Sequence, residues 1–181
     1  MKHPKYLVLL GALLGAFYFT GCASSVTREA PTAAAFTRLS AEHKASEVKV
    51  TISPAALDKL KDNLKFDQEE LRKHVERALS GYSLLDASRK GELPVVEVVV
   101  TSMRVRSNFS AVMWGAMAGA DNISGDVVIK DAAGKVLDQF HVSASYALGG
   151  FAGGQDGARM DWLYEAFAKR TIEEITGKKE K

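Results

Sequence analysis

Only one of the 181 residues is cysteine, and only four are proline. One thiol excludes an internal disulfide, and it excludes a zinc site built on paired cysteines. No sign of charge dominates either. The formal net charge is +2, and Lys2 and Lys5 account for it, so the rest of the chain carries 22 basic against 22 acidic residues. Such a neutral body has no basic field to attract nucleic acid or anionic lipid. There is also no apolar run of the ~20 residues that a helix needs to cross the hydrocarbon core. What remains is ordinary: 46% hydrophobic and 25% charged residues, enough for one core and one domain without stapling.

The lone cysteine stands at a telling place. Met1–Lys5 holds two lysines and no acid, and Tyr6 to Phe19 is uncharged and mostly apolar. That is the build of a signal peptide, too short for a membrane-spanning helix. Thr20 and Gly21 then set two small residues before Cys22. The segment resembles the bacterial lipobox, with Phe19 where leucine is commonest. The resemblance implies cleavage after Gly21, a diacylglyceryl thioether on Cys22 and acylation of the new amine, which together make a near-permanent membrane anchor. Ala23 and Ser24 follow, with no aspartate of the kind that retains such proteins at the inner membrane. The outer membrane, with the body facing the periplasm, is the localisation this implies.

Four parts are therefore expected: a signal peptide over 1–21, a lipidated tether over 22–46, one α+β domain over 47–177 and a charged tail over 178–181. The tether is rich in Ala, Thr and Ser. As a flexible coil it would reach about 25 Å, with Phe36 and Leu39 as residues able to dock on the body.

Within the domain, Glu47–Ser53 alternates as a strand. Ser53-Pro54 opens a short helix over Ala55–Leu64. Asp67 caps a better helix, and Glu70 completes an acidic capping box. Its apolar stripe is Leu71, Val75, Ala78, Leu79 and Tyr82. Leu93–Arg106 has Val96, Val98 and Val100 on one face and Val95, Val99, Met103 and Val105 on the other, so a strand covered on both sides is expected. Ile123–Asp131 and Val136–Ala147 form a hairpin about the turn Asp131–Lys135, where Gly134 supplies positive φ. A glycine-rich loop, Gly149–Gly157, leads to a last helix over Ala158–Ile175, with Met160, Leu163, Ala166, Phe167 and Ile175 on or near its apolar stripe. The order β-α-β-β-β-α predicts an α+β fold: a small mixed or antiparallel sheet packed against two amphipathic helices.

No catalytic constellation is visible. His3, His43, His74 and His141 lack metal-ligand spacing, and His74 and His141 read as solvated positions on a helix and a strand. Ser124, Ser143 and Ser145 lie within strands, away from any nucleophile turn. Asp126, Asp131 and Asp138 read as solvated residues of one hairpin. The glycine-rich loop lacks the Lys-Ser/Thr of a phosphate-binding loop. No metal or cofactor is expected. The unusual stretch is Phe109–Ala120, uncharged and apolar, bordered by Arg104 and Arg106. Three readings of it stand open: burial in the sheet, a partner or self-contact loop, or insertion of Met113, Trp114 and Met117 at a membrane interface.

From Leu93 onward, the valine-rich strand, the Trp114-Gly115 to Gly119 stretch and the pattern V-x-x-x-D-x-x-G-K-V-L at Val127–Leu137 resemble a family of bacterial lipoproteins known only as a domain of unknown function. The resemblance brings no catalytic residues. The reading carried forward is a lipid-anchored, non-enzymatic envelope protein that binds a protein partner or itself. The alternative is a binding module for a lipid, glycan or peptidoglycan fragment. A hydrolase whose residues converge only in three dimensions is a third reading.

Overall fold

The structure, a computed structural model, describes residues 23–28, 39–61, 65–107, 119–147 and 156–178. The expected signal peptide 1–21, Cys22, and the interaction candidates Met113, Trp114 and Met117 lie outside the described residues. Among the described residues there are five strands: β1 (Ala23–Thr27), β2 (Glu47–Ile52), β3 (Val95–Arg104), β4 (Asp121–Lys130) and β5 (Val136–Tyr146). Three α-helices accompany them among those residues: α1 (Pro54–Leu60), α2 (Gln68–Gly81) and α3 (Asp156–Thr176). The sheet order is β1-β5-β4-β3-β2, with β2 and β3 parallel and every other pair antiparallel. The fold is α+β with a mixed sheet, as its pattern of elements predicts.

Local chemistry accounts for the helix starts. Ser53 accepts a hydrogen bond from the Ala56 N–H, and Pro54 occupies the first turn. Asp67 accepts from the Glu69 and Glu70 N–H groups at 2.8 and 3.1 Å. The reciprocal half of the expected capping box comes from elsewhere. The Asp67 N–H donates to the Tyr164 hydroxyl at 2.7 Å, while Glu70 pairs with Lys73. A tertiary contact with α3 has taken the place of a local one.

The core lies between the sheet and the α2/α3 pair. Leu71, Val75 and Leu79 of α2 and Leu163, Phe167 and Ile175 of α3 are fully buried against Val96, Val98, Ile123, Val127 and Val142 of the sheet. Tyr82, expected on the α2 stripe, is exposed.

Two expectations fail for physical reasons. The two-sided burial of β3 does not hold. The register slips between Val100 and Ser102, and this bulge turns Met103 to the same face as Val96, Val98 and Val100. Val95 and Val99 on the other face are half-buried. The described residues of the expected tether are also not a free coil. Ala23–Thr27 pairs along its whole length with β5, from Ala23 opposite Ser145 to Thr27 opposite His141. Leu39, Ala45 and Ser46 are buried, and Ala45 exchanges backbone bonds with Leu84 and Asp86 at 2.8 Å. Five small and β-branched residues carry little amphipathic signal of their own, and the open edge of β5 supplies the partner that makes them a strand.

Candidate functional site

Three charged side chains are buried together where the sheet meets α3: Arg106, Asp121 and Arg159, each no more than 4% exposed. Asp121 opens β4 opposite Tyr146 and shares the inward face with Ile123. That parity aims its carboxylate at the first turns of α3, which carry Arg159. Arg106, two residues past the end of β3, donates its N–H to Asp121 Oδ1 at 2.6 Å, Nε to the same oxygen at 3.2 Å and Nη2 to Oδ2 at 3.0 Å. Arg159 Nη1 lies 3.3 Å from Oδ2. The guanidiniums also hold backbone: Arg106 Nη2 donates to the Tyr146 carbonyl, and Arg159 Nη2 to the Arg106 carbonyl, both at 3.2 Å.

The placement of these groups is informative. Arg106 and Asp121 flank residues 108–118, the apolar stretch, while Tyr146 and Arg159 flank the glycine-rich stretch 148–155. One buried knot thus ties together the roots of both segments that stand out in the sequence. Arg104 adds a strap. Gly119, at φ +85°, leaves room for the Arg104 guanidinium where a Cβ would come within 2.5 Å of Nη1. Lys65 stands nearby. Burial and the charge of Arg159 hold its ammonium below the usual lysine range, with Asp121 pulling the other way.

Chemically the knot is a fastener. A carboxylate whose two oxygens accept from several donors has its lone pairs engaged. Taking one partner away from such a set costs far more than the set contributes over an apolar packing.

On the opposite sheet face, His141 Nδ1 and Asp126 Oδ1 are 2.7 Å apart, and the Ser124 and Ser143 hydroxyls are 3.0 Å apart. His141 is outward, as its parity predicts. Two of the polar residues read as solvated are not. Asp138 is 6% exposed and takes a bidentate pair from Arg28 at 2.6 and 3.2 Å. Its even-numbered place beside Phe140 and Val142 is the signal that was available. His74 is half-buried against the Tyr164 ring, centroids 5.7 Å apart. It lies in an open groove of about 370 Å³ between α2 and α3, floored by Ala168 and Ile172. Among the described residues, no group of three or more His, Cys, Asp or Glu is placed to hold a metal. Among them, too, no helix is long and apolar enough to cross a membrane.

Of the charged knot, Arg106 alone is marked by the sequence, as a border residue. Asp121 is detectable by parity with Ile123, and Arg159 by its distance of one helical turn from Leu163.

The sequence profile of the family described as domain of unknown function (DUF4410) matches residues 37–150. No curated protein matches the chain. Similar solved structures include the PelC dodecamer from Paraburkholderia phytofirmans, 11% identical with a TM-score of 0.43, the match covering 81% of this chain and 94% of that one. Another is a minor lipoprotein from Acinetobacter baumannii, 9% identical with a TM-score of 0.46, the match covering 75% of this chain and 93% of that one.

Proposed function

The chain belongs to the DUF4410 family, and from that premise we propose that it is a lipid-anchored envelope protein whose folded body serves as a non-enzymatic interaction or assembly module. Its anchor is Cys22, acylated after removal of residues 1–21. It resides at the outer membrane and faces the periplasm.

The observation that carries this reading is β1. The strand starts at Ala23, the residue after the cysteine, and is sewn into the sheet by more than its ladder. Arg170 Nε donates to Ser24 Oγ at 2.7 Å. Arg28 pairs with Asp138 and Glu174 and lies over the Phe140 ring at 5.0 Å from its centroid. A strand that begins where a lipobox ends makes the new amino terminus a fixed corner of the body. The engaged carboxylate of Asp121 supports a structural use of its most buried charges.

The test is intact-mass analysis of the membrane-extracted protein, followed by crosslinking in intact cells. A chain starting at Cys22 with three acyl chains, trapped with a partner or with a second copy, is the expected result. A bare thiol with the leader still joined refutes the anchor. An acylated chain that crosslinks to nothing refutes the interaction role.

A second reading, a binding module for a lipid, glycan or peptidoglycan fragment, draws support from the shared roots of residues 108–118 and 148–155. Native mass spectrometry after mild extraction decides it, since a ligand-free species under every condition removes it.

A further inference from the structure

The seam between α2 and α3 is filled at one end and hollow at the other. At the filled end the Tyr164 ring meets Phe66 and His74, with centroids 6.0 and 5.7 Å away. Farther along, the seam is lined by small residues, Ala78 and Gly81 on α2 and Ala168 on α3, and the groove of about 370 Å³ is the space they leave. A Cβ built on Gly81 would meet nothing within 4 Å. The volume falls at the lower end of the range for small-molecule sites.

The groove also holds a buried acceptor with nothing to accept from. Glu173 lines it and is 9% exposed. Its Oε2 takes Nη1 of Arg170, the same arginine that holds Ser24 through Nε. Oε1 accepts from no group among the described residues and stays open to solvent. A carboxylate oxygen this deep calls for a donor. Tyr82 stands at the rim, 39% exposed. The walls carry both signs, Arg77 and Lys169 against Glu165 and Glu173, so the lining has no net formal charge. A hollow of about 380 Å³ beside the hairpin turn is built differently, because both Glu47 oxygens are already taken there, by Lys49 at 2.9 Å and Lys90 at 2.6 Å.

We infer that the α2/α3 groove is a glycan subsite, taking one pyranose ring of a neutral saccharide with a C–H face against Tyr82 and a hydroxyl donating to Glu173 Oε1. The inference rests on the second reading above, from which it selects the saccharide and to which it gives a place. Each sugar hydroxyl both donates and accepts. A ring edge therefore answers a wall on which guanidinium and ammonium donors stand together with carboxylate acceptors. The aliphatic hydrogens on the face of the ring are drawn to the negative face of a phenol. A phospholipid headgroup gains no attraction from walls without net charge. An acyl chain needs a longer apolar trough than Ala78, Ala168 and Ile172 offer.

The experiment mixes the membrane-extracted full-length protein, in a detergent without a sugar headgroup, with cellobiose or N,N′-diacetylchitobiose. Saturation-transfer difference NMR then reads which ligand protons touch the protein. Transfer to the C–H protons of one ring of at least one disaccharide is expected. Gly81→Leu fills the notch and leaves the Ser24–Arg170–Glu173 chain of contacts in place, so it should abolish the transfer with an unchanged far-ultraviolet circular dichroism spectrum. Glu173→Gln keeps the shape but loses the charge, and it should weaken binding roughly tenfold. Undiminished transfer in Gly81→Leu overturns the groove and leaves saccharide binding elsewhere on the protein standing. No transfer from the wild type to either sugar overturns the inference outright. The native mass spectrum described above then decides separately whether the binding-module reading survives with another ligand.

Discussion

Replacing Asp121 with alanine strips a carboxylate from between two buried guanidiniums. Arg106 loses three hydrogen bonds to it, one from the backbone, and Arg159 loses its ion-pair partner at 3.3 Å. Removing one partner from a buried charge set costs about 3–5 kcal/mol, because the charges left behind are neither solvated nor balanced by the group removed. Domains of this size are stable by about 5–15 kcal/mol, so the loss is a large share of the total. At about 2–4 °C per kcal/mol, the midpoint of thermal unfolding falls by roughly 6–20 °C. Asp121→Asn keeps an acceptor for the Arg106 N–H but loses the charge, and it should fall between alanine and wild type. Urea unfolding followed by far-ultraviolet circular dichroism measures all three. If Asp121→Ala lies within about 1 kcal/mol of wild type, the buried tie contributes no more than a surface pair, and the account of the Arg106–Asp121–Arg159 knot is wrong.

Three further outcomes follow from particular contacts. A Cβ on Gly125 would come within 2.9 Å of the Val99 carbonyl oxygen across the β3–β4 ladder, so Gly125→Ala should destabilise by about 1–3 kcal/mol in the same urea assay. Tyr164→Phe takes the acceptor from the Asp67 N–H and should cost about 1–2 kcal/mol, while Asp67→Ala, which removes the cap of α2, should cost about 1 kcal/mol. Burial, and then Arg77, hold the His74 imidazole below its ordinary value, with Asp161, Glu165 and Glu70 opposing. The unfolded chain therefore binds this proton more readily than the folded one. Stability from the neutral ring is complete above about pH 6.5 and declines as the pH falls through the lowered folded value. Unfolding midpoints recorded across that range should fall less steeply with acid in His74→Gln; an unchanged slope refutes the assignment.

How much was legible from residues alone depends on the range of the interaction involved. The Ser53 and Asp67 caps, the Asp131–Lys135 turn and the Leu71–Val75–Leu79 stripe are set by neighbours within a few positions, and all of them are where the pattern puts them. Asp138 lay within reach too, since its parity with Phe140 marks it as inward, yet its partner Arg28 is 110 positions away and nothing local announces it. The bulge between Val100 and Ser102 is a property of the β3–β4 pair, and a single strand's alternation cannot reveal it.

The order of elements, the α+β class and the isolated cysteine behind an apolar segment are properties of the chain read in one dimension, because periodicity and capping are short-range. Only the tertiary structure decided that Ala23–Thr27 is a sheet edge, and that two arginines and an aspartate meet beside the ends of residues 108–118 and 148–155. Those outcomes depend on which distant groups meet. A weak strand is made by the edge it finds, and a buried charge by the partners brought to it.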